Sequence, residues 1–514
     1  MASQTTADSA LAETASGRVR GEVLGDLRVW RGIPYAAPPT GTLRFRPPQP
    51  AARWDGVRPA VDRGPVAWQS ERVNPFTGQL ETLNRDEDCL VVNVTAPARP
   101  PAVGAAYPVL VWVHGGGYVQ GRGADALVGD GAGLARSGLV VVTFNYRLGS
   151  LGFLHLGDEA GPDYAAAGQA GFLDQVAALR WVQANIGGFG GDPARVCLYG
   201  VSAGAKSIAN LLSSPLAAGL ASRAISASGG GEHVATPAQA ASVRRLFFLE
   251  LGLGPDGVRW LPGIPAAELV AAQEATAPEA TGTWVWRPVL GGAGLPVLPV
   301  QAVADGAAAG IPMLIGSNGN EAATYQLMNS TAAEQAPRVL AELFGETDAA
   351  AMLAAYAAAR PELDELGIQL AVMSAERYGI PTQRLAVAQA AHGPVWRYRF
   401  DGCPPGMPAE LAGGHGLDMF AVWAADQLAG AAPGDAQARL CQATAGAWAR
   451  FAHGSPPGDD WLPEWPEFDA ETESTMVLGP QPHVTRHPRA AEFAIWQGRS
   501  WPSGTWWQPD DRTE

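Results

Sequence analysis

The chain has 514 residues, 35 of them basic and 50 acidic, giving a formal charge of -15 with the histidines neutral. That sign excludes a nucleic-acid binder built on a basic surface, and 47% hydrophobic against 17% charged residues excludes a disordered chain. The 63 glycines and 42 prolines follow no period, which excludes a collagen-like fibre.

In chain order, residues 1–16 are small and polar and are expected to lack structure; they carry no basic segment followed by an apolar stretch, as a secretory signal would. A cytoplasmic protein with no membrane span is the expectation, since no run of about 20 apolar residues occurs. Pro108 to Val113 reads as a strand buried on both faces. It runs into His114-Gly115-Gly116-Gly117-Tyr118, where consecutive glycines leave backbone N-H groups uncovered, as needed to cup a developing oxyanion. Gly116 and Gly117 are the candidate donors, and Tyr118 a candidate substrate contact.

A second buried strand is expected over Leu139 to Asn145, and an amphipathic helix over Gln169 to Asn185 with Leu173, Val176, Leu179, Trp181 and Val182 on one face. The strand Val196 to Val201 then meets Gly200-Val201-Ser202-Ala203-Gly204 and a helix from Ala205 to Leu212. Gly-x-Ser-x-Gly between a strand and a helix is the setting in which a serine is held exposed on a sharp turn as a nucleophile. The N-H of Ala203 joins the candidate oxyanion donors. The same stretch, Gly200 to Ser207, differs by one residue from a phosphate-binding loop and holds the only lysine, Lys206. Against that reading, Ala205 replaces the glycine that lets such a loop curl round phosphates.

Further strands are expected over Arg223 to Ser228, Ile311 to Gly316 and Val395 to Phe400, and a helix over Ala436 to Phe451. Strand, loop, helix, strand repeats with no linker to divide it, so residues 17–514 are expected to form one α/β catalytic domain with long loop and helical excursions. Chain order in serine hydrolases of this design is serine, carboxylate, histidine. Glu321 lies just past the strand Ile311 to Gly316, and His415 in the glycine-flanked stretch Gly413 to Gly416. His392, His453, His483 and His487 are placed less well. Cys89, Cys197, Cys403 and Cys441 form no Cys-x-x-Cys pair and are expected to be free, buried thiols.

These residues, with Arg31-Gly32-Ile33-Pro34-Tyr35-Ala36, Leu43-Arg44-Phe45, Glu87-Asp88-Cys89-Leu90, Asn145-Tyr146-Arg147-Leu148-Gly149 and Phe189-Gly190-Gly191-Asp192-Pro193, resemble the type-B carboxylesterases, the cholinesterase-like branch of the α/β-hydrolases. The resemblance runs from about Arg18 to Pro466. It implies the α/β-hydrolase fold, a central, mostly parallel twisted sheet with helices on both faces. It also implies a Ser202-His415-Glu321 triad, an oxyanion hole of Gly116, Gly117 and Ala203, and Arg44–Glu87 and Arg147–Asp174 as structural ion pairs. Trp284 and Trp286 resemble the family's acyl-pocket aromatics.

Three departures are informative. Val201 stands where the family usually has glutamate, making the floor beside the nucleophile more apolar. Ala67 stands where secreted members carry the cysteine that pairs with the one at Cys89, so no bridge is expected there. The segment Gly78 to Asn84 has no tryptophan to hold a choline-like cation.

The expected activity is hydrolysis of small to medium, fairly apolar carboxylic esters through an acyl-enzyme, with no metal or organic cofactor. The same triad can attack carbamates and activated amides. A small-molecule ester is the expected partner of a monomer or small homo-oligomer. The other readings are a non-catalytic interaction protein of the same fold and, last, a P-loop NTPase.

Overall fold

The computed structural model describes residues 10–72, 80–124, 127–157, 160–276, 285–426, 428 and 435–501. Its strands in chain order are β1 (Leu11–Thr14), β2 (Gly17–Arg20), β3 (Glu22–Leu24), β4 (Leu27–Pro34), β5 (Val57–Pro59), β6 (Val91–Pro97), β7 (Tyr107–Val113), β8 (Val140–Phe144), β9 (Gly191–Val201), β10 (Arg223–Ala227), β11 (Met313–Asn318), β12 (Val395–Phe400), β13 (Thr475–Leu478) and β14 (His483–Thr485). Eleven form one sheet in the order β14-β13-β12-β11-β10-β9-β7-β8-β6-β4-β3, and β1, β2 and β5 form a small second sheet. From β13 to β8 every pairing is parallel, whereas β14 and the group β6, β4 and β3 add antiparallel edges. This is the mostly parallel α/β sheet expected.

Alternation along β7 shows how the sheet is covered. Val109, Val111 and Val113 join one apolar cluster with Phe172, Val176 and Leu179 of helix α1 (Ala170–Asn185), while Leu110 and Trp112 join another with Leu440, Trp448 and Phe451 of the long helix Ala436–His453. Both faces are therefore dry, which is why the central strands read as unbroken apolar runs. Helix α1 buries more than one stripe. Asp174 and Gln175 lie inside with its apolar residues.

Three expectations are corrected. Residues 1–16 do not all lack structure, because Leu11–Thr14 pairs antiparallel with Gly17–Arg20. The helix after Ser202 begins at Ala203, not Ala205, and is α2 (Ala203–Ser213). Cys403 is only half-buried, although all four cysteines are free as expected.

Candidate functional site

Strands β7, β9, β10, β11 and β12 are consecutive neighbours, with Val113 opposite Gly200, Ala227 opposite Val201 and Gly316, and Asn318 opposite Phe400. Their carboxyl ends therefore deliver His114 to Tyr118, Ser202, Ser228, Glu321 and His415 to one edge of the sheet. The chain leaves β7 towards β8 on one side and returns to β9 on the other, the switch point at which α/β sheets open a crevice.

Ser202 occupies φ 59°, ψ -124°, a conformation that side chains rarely adopt and that is worth about 1–3 kcal/mol of local strain. Its N-H donates to Ala227 O at 2.9 Å, and its carbonyl accepts the Lys206 N-H at 2.9 Å as α2 begins. The glycine loop is pressed against it. A Cβ at Gly115 would lie 2.7 Å from Val201 O and 3.3 Å from the Ser202 Cβ, and Gly116 combines φ 108° with a Cβ position 2.1 Å from Gln120 O. The N-H groups of Gly116, Gly117 and Ala203 meet no acceptor among the described residues, leaving three donors at the foot of the crevice.

Glu321 is 1% exposed, in the turn between β11 and helix α3 (Ala322–Met328). Its Oε2 accepts from His415 Nδ1 at 2.6 Å, while Oε1 accepts from Ser228 Oγ at 2.6 Å and from the Asn318 N-H at 2.7 Å. The Nδ1 proton leaves Nε2 as the acceptor nitrogen of a neutral ring. The imidazole is held further by aromatic faces. Tyr378 stacks on it at 4.3 Å and Tyr325 at 5.5 Å, and the two hydroxyls are hydrogen-bonded to each other. Tyr378 belongs to a single π turn, Ala375–Gly379, between helices α4 (Glu365–Ser374) and α5 (Ile380–Ala390), an irregularity often found at functional sites. Asp418 sits behind, accepting from Tyr398 Oη at 2.7 Å and from Asn318 Nδ2 at 3.2 Å, and burial and then Glu321 push its carboxyl above the usual range.

Ser202, Glu321, His415, Gly116, Gly117 and Ala203 thus share one edge, but the aromatic candidates do not line it openly. Tyr118 is fully buried, its hydroxyl accepting from Ser207 Oγ at 3.3 Å and Asn210 Nδ2 at 3.4 Å. Trp286 is buried against Phe247, ring centres 5.2 Å apart. Trp284 lies outside the described residues, as does part of the Gly78 to Asn84 segment. Lys206 gives the phosphate-loop reading no support, because it is buried in α2 with Nζ 4.9 Å from the centre of the Tyr378 ring. His114 is locked away from the chemistry: its ring stacks on Tyr146 at 4.2 Å, and burial pushes its pKa down to about 4.

Sequence reasoning missed Ser228, Asn318, Tyr325, Tyr378 and Asp418. Ser228 and Asn318 end strands at the carboxyl edge, a signal that could have found them. The tyrosines lie in helical stretches without a motif.

Among the described residues no helix is long and apolar enough to cross a membrane, and no cluster of three His, Cys, Asp or Glu side chains could hold a metal ion. The model of the carboxylesterase family matches residues 8–496. The chain is 35% identical to the para-nitrobenzyl esterase of Bacillus subtilis (strain 168), over 93% of this chain and 96% of that one. It is also 35% identical to a fumonisin B1 esterase of Sphingopyxis macrogoltabida, over 94% and 88%. Among solved structures, a carboxylesterase of Geobacillus stearothermophilus superposes with a TM-score of 0.84 at 35% identity, covering 95% of this chain and 100% of that one.

Proposed function

The chain belongs to the carboxylesterase family and is an ester hydrolase with the α/β-hydrolase fold; from that premise we propose that Ser202, His415 and Glu321 carry the reaction through an acyl-enzyme. Ser202 Oγ attacks the ester carbonyl carbon as His415 Nε2 takes its proton. Glu321 fixes the tautomer by accepting the Nδ1 proton and stabilises the imidazolium that forms. The oxyanion is received by the N-H groups of Gly116, Gly117 and Ala203, each such donor being worth about 2.7–4 kcal/mol in the transition state. His415 then protonates the leaving alcohol, and water repeats the sequence on the acyl-enzyme, releasing the acid and restoring Ser202.

The observation that carries this reading is the 2.6 Å hydrogen bond from His415 Nδ1 to a buried glutamate, on the same sheet edge as a serine held at positive φ. The substrates are esters of small to medium size with an apolar body, in keeping with Val201 beside the nucleophile, and the same attack extends to carbamates and activated amides. Wild type and Ser202→Ala compared on p-nitrophenyl acetate and butyrate test the reading. The variant is expected to lose about 10⁴-fold or more in kcat; equal hydrolysis by the two proteins would overturn it.

A further inference from the structure

We propose that a cavity beside the carboxyl ends of β11 and β12 is a binding site for a small monovalent anion of the size of chloride, held by the guanidinium of Arg397. The cavity lies between Asn318 of β11, Arg397 and Arg399 of β12, Gly379 of the π turn, and Arg489 and Glu492 at the start of the helix Ala490–Ile495. It is separate from the crevice in which Ser202 meets its substrate, and nothing in the hydrolytic reading uses it.

Arg397 is the residue that requires explanation. It is 5% exposed. Its guanidinium packs against two rings, with its carbon 5.4 Å from the centre of Phe493 and 5.6 Å from that of Phe468. Aromatic faces attract the cation but leave its five in-plane N-H donors without an acceptor. Among the described residues Nη1 is buried with no hydrogen-bond partner, and no carboxylate forms an ion pair with the group. The acidic side chains nearby are committed elsewhere. Asp401 takes Arg399 through both oxygens, at 2.6 to 3.1 Å. Glu492 takes Arg360 Nη1 at 2.9 Å and lies 3.8 Å from Arg489 Nε. Glu473, the carboxylate whose field reaches Arg397, accepts from Gln383 Nε2 at 2.5 Å and stands 3.8 Å from His487 Nδ1. Burial pushes Arg397 down to about 10 against the pull of Glu473, and Arg399 and Arg489 push it the same way as burial. A buried cation whose donors meet no acceptor is costly, and an anion in the cavity removes both costs at once.

The walls select the sign and size of the guest. Three arginines against one glutamate that is already paired favour an anion over a cation. The free space holds about one or two water-sized bodies, which is enough for a halide and too little for phosphate or a carboxylic acid with its carbon chain. Because β12, the π turn and the helix Ala490–Ile495 come together only in the folded chain, the anion binds the native state and stabilises it.

The test is the thermal midpoint at constant ionic strength as sodium chloride replaces sodium gluconate, whose anion is too large to enter. The wild-type midpoint is expected to rise by about 2 °C as chloride reaches about 100 times its dissociation constant. Arg397→Met is expected to lose this chloride response whatever its own midpoint, whereas Arg259→Met, which removes an exposed arginine that does not line the cavity, should keep it. Bromide in place of chloride in wild-type crystals gives a second readout that needs no variant, an anomalous peak at hydrogen-bonding distance from the Arg397 guanidinium. Water alone at that position, a midpoint indifferent to chloride, or a chloride response that survives Arg397→Met would overturn the proposal.

Discussion

Two buried carboxylates in this molecule hold nitrogen bases in opposite ways. Asp174, 0% exposed on α1, takes Arg147 Nε and Nη2 at 2.7 Å each and the Arg147 backbone N-H at 3.1 Å, while the remaining guanidinium nitrogen donates to Arg46 O at 2.8 Å. The base is permanently charged, and it is satisfied from several directions by rigid backbone. Glu321 sits in a turn and holds a single imidazole nitrogen, beside the Ser228 hydroxyl and the Asn318 N-H, so the other ring nitrogen is not taken by this carboxylate. The first arrangement joins strand ends to a helix and has no reason to change state. The second binds a group that gains and loses a proton, and it is placed where five strands end. Burial and pairing alone do not distinguish scaffold from site; an unspent nitrogen at the sheet's carboxyl edge does.

That contrast can be broken by removing each carboxylate. Glu321→Gln is expected to lower kcat by about 10⁴-fold, measured on p-nitrophenyl butyrate, with a thermal midpoint close to wild type. A large loss of stability with kcat per folded molecule preserved would make Glu321 scaffold. Asp174→Ala is expected to do the reverse, since stranding a buried Arg147 costs about 3–5 kcal/mol. Urea unfolding would register that loss, while kcat per folded molecule should stay within a few fold. A variant of unchanged stability would remove Arg147–Asp174 from the framework.

The same contrast explains what could be read from the sequence. Strands β7 and β8 and the second half of β9 are buried on both faces, so their apolar runs mark them plainly, and the Gly-rich turns after β7 and β9 mark the crevice. The ion pairs Arg44–Glu87 and Arg147–Asp174, implied by the family resemblance, are both formed. Edge elements were less legible: β3, β5 and β14 are three residues each and half-exposed, too short to show a period. Around His415 the legible part was the glycine-flanked histidine itself. Its aromatic supports come from residues 325 and 378, brought together only by tertiary packing across a π turn. Lys206 stood out as the only lysine, yet the charges that act on it, Glu376, Arg377 and Arg287, come from two distant stretches of the chain and have no local signature.

The central claim is that one serine, Ser202, forms the acyl-enzyme, and covalent labelling addresses it most directly. After treatment with diethyl p-nitrophenyl phosphate, intact and peptide mass spectrometry of the wild type should find a single phosphoryl adduct on Ser202, with esterase activity lost in proportion to labelling. Ser202→Ala should remain unlabelled. Activity lost through an adduct at another residue, or Ser202 fully labelled with hydrolysis undiminished, would contradict the account.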